Sequence, residues 1–351
     1  MLYTMQKLVD KMWNKVNIVF RLKTPIHIGY LPFKGSVVSP TRYYIPGRNL
    51  WGAVTKRITE YLDKSPDAEK YKEISDLIIE NYRFSYFYLY DGKTIYFPHF
   101  TEEGLKYGNI DGDKNKITKS EFEHKFIGSQ ISTAIDPNSL TAKDESLHEI
   151  EFINNKFKDE KGSIKDLKII GCVWFKDKGR IENNGITKDE KGIIIGEFNI
   201  LEELILGGES KYGFGHVVLD SVDKVEFLAE LKEENENIKV DIKKDTPLFA
   251  HLKYDRNTKF RGDIELLTGR GYFDPCNKKN SLRDITKSLE GPGKVLESGK
   301  VLSQPEYYFV PGTLIETSSP AFIRWDGTME LKTNESNCLG MNIPPRNLSP
   351  S

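Results

Sequence analysis

The sequence predicts an α+β fold of two tandem units, and three observations carry that prediction. The first is the order of elements over residues 15–220: an alternating strand, a helix with one apolar stripe, aromatic and apolar strands, a short second helix, a glycine-rich loop and a closing strand. That is the βαββαβ order of a ferredoxin-like (RRM-like) domain. The second is a weak internal repeat. Lys23-Thr24-Pro25 is echoed by Asp245-Thr246-Pro247, and Tyr43-Tyr44-Ile45-Pro46-Gly47 by Tyr307-Tyr308-Phe309-Val310-Pro311-Gly312. The third is size: 351 residues, 38% apolar and 29% charged, are enough for two cores.

The elements follow in order. Residues 16–22 alternate as a half-buried strand does. Leu50, Val54, Ile58 and Leu62 recur every four residues, the stripe of an amphipathic helix, with Lys56 and Arg57 off that stripe. A second helix is expected near 74–82. Residues 83–97 are dense in aromatics (Phe84, Tyr86, Phe87, Tyr88, Tyr90, Tyr96, Phe97) around Asp91-Gly92 and read as a hairpin. Hairpin core is the default for those rings, and base stacking is the alternative. Residues 101–125 read as a polar surface insertion, 168–175 as a strand, 176–192 as a polar excursion and 198–206 as a short helix leading into the glycine loop. Residues 228–245 are charged and read as the connection between units. The expected division is 1–230 for the first unit and 231–351 for the second. The second is a degenerate ferredoxin-like copy with loop insertions, lacking a clear helix and glycine loop.

Composition excludes several classes. Lys+Arg number 51 against Asp+Glu 52, so any nucleic-acid contact must be a local surface on a chain of net charge −1. Three scattered cysteines, Cys172, Cys276 and Cys338, contain no CxxC pair, which argues against a zinc cluster or disulfide framework. The apolar runs are too short to span a membrane and no leader pattern opens the chain, so a cytoplasmic location is expected.

The stretch Gly207-Gly208-Glu209-Ser210-Lys211-Tyr212-Gly213-Phe214-Gly215 is the main chemical signal. A dinucleotide site needs its glycines after a strand and before a helix, and a P-loop ends in Gly-Lys-Ser/Thr. This loop has neither context. Glycines let a second backbone approach closely, so the loop can lie along a phosphodiester chain, with Lys211 on phosphate and Tyr212 or Phe214 on a base. A bare helix-to-strand turn is the alternative.

The glycine loop, with Lys23-Thr24-Pro25-Ile26-His27-Ile28-Gly29, Tyr44-Ile45-Pro46-Gly47-Arg48-Asn49-Leu50-Trp51-Gly52-Ala53-Val54 and Ala134-Ile135-Asp136-Pro137 before Thr141-Ala142-Lys143, resembles four motifs of the RAMP superfamily of CRISPR-associated proteins, in the family's order. The layout is similar to that of the group-five-like subunits of type III effector complexes. Asn49, Trp51 and Glu209 depart from the residues common there. The resemblance implies a non-catalytic subunit without a cofactor. Its partners would be the 5′ repeat-derived end of a guide RNA (crRNA), the large subunit and the backbone RAMP subunits, in antiviral defence.

The RNA-contact candidates are Gly47, Arg48, Asn49 and Lys56 on the first helix, and Gly207, Gly208, Ser210, Lys211, Tyr212, Gly213, Phe214 and Gly215 on the loop. Free N–H groups at a helix start attract phosphate, although Pro-Gly also simply sets the start of a helix. Two catalytic alternatives stand beside binding. His27, with Tyr30 or Lys34, has the chemistry of a general acid/base in a repeat-processing ribonuclease, against a strand-edge histidine. Asp136 has that of a metal-dependent cleavage residue of a backbone subunit, against a turn Asp before Pro137. His216 reads as structural or as an RNA contact, and Asp111-Gly112-Asp113 as a solvated loop rather than a metal site.

Overall fold

The computed structural model describes residues 12–30, 37–110, 116–143, 146–228, 231–234, 236–268, 270–271, 301–302 and 305–332. The fold is α+β and strand-rich, with three α-helices among those residues: α1 (Gly47–Leu62), α2 (Ala68–Asn81) and α3 (Lys119–Phe126).

A central antiparallel sheet organises the first part of the chain. Its strands are β1 (Trp13–Leu22), β2 (Tyr44–Ile45), β3 (Tyr82–Phe84), β4 (Phe87–Tyr90), β5 (Lys168–Lys176), β6 (Glu203–Ile205) and β7 (His216–Val222). They lie in the order β6-β7-β1-β5-β4-β2, with β3 also paired to β5. The sheet is buried on both faces, and the alternation of side chains assigns each residue to a side. Val16, Ile18, Phe20 and Leu22 of β1, with Ile169, Val173 and Phe175 of β5, pack against the apolar stripes of α1 (Leu50, Val54, Ile58) and α2 (Ile74, Ile78). Trp13, Val19, Ile170, Cys172, Trp174, Tyr86 and Tyr88 face the other way, into a second core. Gly171 lies on the helix side with Ile169 and Val173, where any Cβ would fall 2.5 Å from the Phe87 ring.

A second sheet covers that other face. Its strands are β8 (Lys232–Glu234), β9 (Asn237–Ile242), β10 (Leu252–Lys253), β11 (Ile264–Leu267), β12 (Glu306–Phe309), β13 (Ser319–Ile323) and β14 (Met329–Leu331). Their order is β8-β9-β13-β14-β10-β12-β11. Ile238, Val240, Ile242, Leu252, Phe309, Ala321 and Met329 fill the shared core.

Polar groups buried between the sheets fix their register. Tyr88 Oη donates to the Phe249 carbonyl at 2.5 Å. Tyr86 Oη donates to His251 Nδ1 at 2.6 Å, and His251 Nε2 donates to Glu265 Oε1. Arg42 Nη2 donates to Glu265 Oε2 at 2.8 Å, and Tyr44 Oη reaches Oε1 at 3.4 Å. These partners define a neutral His251 carrying its proton on Nε2, and burial pushes its pKa down. Burial alone would raise the Glu265 pKa. The hydrogen bond from His251 and the Arg42 guanidinium outweigh that and hold the carboxyl at about 2.

Several sequence expectations are corrected. Residues 198–206 are not a helix. They form the Phe198–Asn199 strand, a turn in which Asn199 Oδ1 accepts from Leu201 N at 3.0 Å, and β6. The helical spacing of Phe198, Leu201, Leu204 and Ile205 does not come from a helix, because Leu201 lies in the turn and Leu204 and Ile205 point to opposite faces of β6. Residues 101–125 are not only a polar surface insertion. The Gly104–Gly108 strand and most of α3 occupy them, with Tyr107 and Phe122 buried. Residues 176–192 carry the Arg180–Ile181 and Asn184–Asp189 strands, and 228–245 contain β8 and β9 instead of a bare connection. The helix expected at 74–82 starts earlier, because Asp67 caps it by accepting from Lys70 N at 2.8 Å. Asp111-Gly112-Asp113 lies outside the described residues.

The Pro-Gly echo has a common physical basis. A Cβ on Gly47 would lie 2.5 Å from Phe84 O, and one on Gly312, at φ +91°, would lie 2.7 Å from Pro98 O. Each glycine lets the chain close onto a backbone carbonyl.

Two expectations follow. Replacing Glu265 with Ala strands Arg42 and His251 in the interior, and denaturation in urea at pH 7 should show a loss of about 3–5 kcal/mol; a loss below about 1 kcal/mol would contradict the pairing. The pH dependence has a defined sign. Both groups have folded pKa values below their unfolded ones, 6.5 for His251 and 4.5 for Glu265. Their contribution is therefore complete above about pH 6.5 and is lost as pH falls through that value and then from 4.5 towards 2. Thermal melts from pH 8 to pH 4 should show a fall in Tm beginning near pH 6.5 that His251→Gln reduces.

Candidate nucleic-acid interface

The glycine loop is held at its base and open at its tip. At the base, Gly208 N donates to His27 O at 2.9 Å, Gly215 N to Pro25 O at 2.7 Å and Leu206 N to Gly215 O at 2.9 Å. Gly207 (φ +85°) and Gly215 (φ +89°) leave no space for a side chain: a Cβ would lie 2.3 Å from His27 O in the first case and 2.2 Å from Leu206 O in the second. His216 N donates to Thr24 Oγ1 at 2.9 Å, which ties the loop exit to the same segment. The segments at 23–29 and 204–216 thus form one structural unit: the chain just beyond β1 is the bed on which the loop rests.

At the tip, Ser210–Tyr212 form one 3-10 turn between left-handed Glu209 and Gly213. Lys211 is exposed, and Tyr212 projects with 78% of its surface free. Phe214 turns inward and packs edge-on against Phe152 at 5.3 Å, so of the two aromatic candidates Tyr212 is the one offered to a ligand.

Between the loop and α1 runs an open cleft of about 490 Å³. It brings together four of the predicted residues, Lys56, Ser210, Gly213 and Phe214. Arg57, Glu60, Glu203 and His216 share its lining. Sequence reasoning singled out neither Glu60 nor Glu203 and placed Arg57 only off the apolar stripe. A helix at 198–206 hides the pairing of Ile205 with His216 that brings Glu203 to the cleft.

The α1 N-terminus lies elsewhere. Gly47 is packed against the turn before β14, where a Cβ would meet Asp326 O at 2.6 Å. Arg48 stacks over Trp325 at 5.8 Å, and Trp51 meets the same ring edge-on at 4.7 Å. Asn49 N donates to Pro46 O at 2.9 Å. Gly47, Arg48 and Trp51 dock the helix start onto the second sheet's turn, and Gly47, Arg48 and Asn49 do not line the loop cleft.

The two catalytic alternatives also separate. His27 is buried beneath the loop, and its Nδ1 lies 2.7 Å from Glu151 O. Tyr30 packs under the Arg42 guanidinium at 5.0 Å, and Lys34 lies outside the described residues. Asp136 sits on an exposed turn beyond the Ile127–Ser132 and His148–Ile153 hairpin. Its Oδ1 accepts from Asn138 N at 2.8 Å and Ser139 N at 2.9 Å, and these backbone bonds lower its pKa. Among the described residues, no cluster of three or more His, Cys, Asp or Glu side chains is placed to hold a metal ion. The aromatic run is largely core: Phe84, Tyr86, Phe87 and Tyr88 are buried.

No protein-family profile matches the chain, and no curated protein matches it in sequence. Solved structures do. A chain of the type III-B Cmr-beta complex bound to cognate target RNA and AMPPnP aligns at 11% identity over 86% of both chains, with a TM-score of 0.46. A chain of Cmr-beta bound to cognate target RNA aligns at 10% identity over 86% of both, at 0.43. A chain of the apo Cmr-beta complex aligns at 11% over 60% of this chain and 98% of that one, at 0.34. At these scores neither a fold nor a function follows from the likeness.

The loop geometry sets an order among glycine substitutions. Gly207→Ala and Gly215→Ala combine a left-handed backbone with a backbone clash and should each cost about 2–4 kcal/mol in equilibrium unfolding. Gly213→Ala, at φ +85° with nothing within 4 Å of its Cβ, should cost only about 1–2 kcal/mol. Equal costs at all three positions would contradict the clamp.

Proposed function

We propose that the chain is a non-catalytic, RNA-binding subunit of a type III CRISPR effector, holding the 5′ repeat-derived end of the guide RNA and contacting the large and backbone subunits in the cytoplasm. The observation that carries this reading is the loop itself. Its base is clamped to backbone carbonyls of the β1 exit, while Lys211 and Tyr212 stand free at its tip. A rigid base with an exposed cation and an exposed ring suits a phosphodiester strand with an unstacked base. The four ordered RAMP-like motifs supply the choice of guide RNA.

The first unit, over 1–230, is in this reading a ferredoxin-like domain. The order β7-β1-β5-β4 of its main strands, all antiparallel, supports that assignment. The β6 segment takes the place of the second helix. The second unit, over 231–351, is the degenerate copy that stiffens the first and faces neighbouring subunits.

The test is a Lys211→Ala/Tyr212→Ala variant, tagged and purified from the native host. It should assemble with its partners yet lose guide RNA about 10- to 100-fold, as the removal of one stacking ring and one phosphate contact implies. Wild-type guide occupancy in the assembled variant would overturn the loop's role.

A further inference from the structure

The cleft between α1 and the glycine loop has the wrong charge for a phosphate. Each cation on its rim already faces a carboxylate: Lys56 Nζ lies 3.8 Å from Glu60 Oε1, and Arg57 Nη1 lies 3.6 Å from Glu203 Oε1. Two cations against two carboxylates leave the lining without net formal charge, and Glu202, 3.4 Å from Arg57 Nη2, adds a further negative charge beside it. Between them the lining includes the apolar Ala53, Ile205 and Phe214. A compensated rim over an apolar floor suits a neutral heterocycle, and its volume of about 490 Å³ lies within the range of small-ligand pockets.

The rim also discriminates. Carboxylates only accept hydrogen bonds. Glu203 Oε2 also lies 3.3 Å from His216 Nε2, but the side chains of Glu60 and Glu203 are 50% and 55% exposed, so both carboxylates retain lone pairs open to an incoming donor. Of the four RNA bases, guanine alone presents two adjacent donors, N1–H and the 2-amino group, which match one carboxylate in a fork. Adenine and cytosine set a ring acceptor beside their amino group, and uracil flanks its single N–H with carbonyls. The wall is rigid: Arg57 lies 4.8 Å over the Phe198 ring, which Tyr61 stacks on its own side at 4.3 Å and 5°.

We propose that this cleft is a pocket for an unstacked guanine of the bound RNA, with Glu203 accepting from its N1–H and 2-amino edge. Lys211 and Tyr212 lie outside the pocket, on the flanking backbone and base. This rests on the RNA-binding reading above, and it adds base selectivity at residues which that reading does not use.

The experiment measures anisotropy of fluorescein-labelled hexauridylates carrying one central guanosine, inosine, adenosine or cytidine, with the full chain. Guanosine should bind about tenfold tighter than the all-uridine strand. Inosine, which lacks the 2-amino group, should fall between them. Glu203→Gln, a change at an exposed side chain, should abolish the preference while leaving the all-uridine affinity within about twofold. Equal binding of all strands, or a guanosine preference that survives Glu203→Gln, overturns the pocket and leaves the RNA-binding reading standing. Failure of every strand to bind, with the protein folded by circular dichroism, overturns both.

Discussion

A half-buried carboxylate between two sheets is the interaction on which the rest of the structure depends. Glu265 accepts from Arg42, His251 and Tyr44, and His251 in turn accepts from Tyr86. The donors Arg42, Tyr44 and Tyr86 flank or belong to the central sheet, and His251 and Glu265 belong to the covering one. Apolar contacts between sheets are permissive about register, because many shifts bury similar area. A half-buried ion with three partners is not, since a shift of one residue leaves it uncompensated. The covering sheet is therefore fixed in position, and with it the Asp326–Gly327 turn that presses on Gly47 and sets the start of α1.

That chain of constraints reaches the proposed interface. α1 forms one wall of the cleft, and the glycine loop, resting on the β1 exit, forms the other. Both walls are anchored to the central sheet, α1 through Leu50, Val54 and Ile58 and the loop through the carbonyls of Pro25 and His27. The geometry at the surface is thus a consequence of packing far from it. The near-neutral composition finds its physical meaning here as well. Cations around the cleft are matched by carboxylates, so the proposed recognition draws on shape, stacking and hydrogen bonding more than on a diffuse positive field.

Much of this was legible in the sequence, for identifiable reasons. The α1 stripe and the β1 and β5 strands follow from periodicity, which local burial dictates. The loop glycines stand out in the sequence because glycine lets a second backbone approach closely, although the partners, the Pro25 and His27 carbonyls, lie some 180 residues away in the chain. What the sequence hid was long-range. Residues 198–206 carry apolar positions at helical spacing, yet pairing with β7 makes them strand and turn, and only that pairing reveals Glu203 beside His216. The α1 start looked like a phosphate site because its cover comes from residues 324–327, nearly 280 positions later. His251 and Glu265 carried no local signal at all, since their role exists only across the two sheets.

The most direct measurement is ultraviolet crosslinking of the ribonucleoprotein purified from its native host, with mass spectrometry of the RNA–peptide adducts. Adducts joining Tyr212 or its tryptic peptide to nucleotides of the 5′ repeat-derived segment are the expected result. Guide RNA present in the particle but crosslinked only to surfaces away from the glycine loop and α1, or a chain recovered with no guide RNA, would contradict the proposed function.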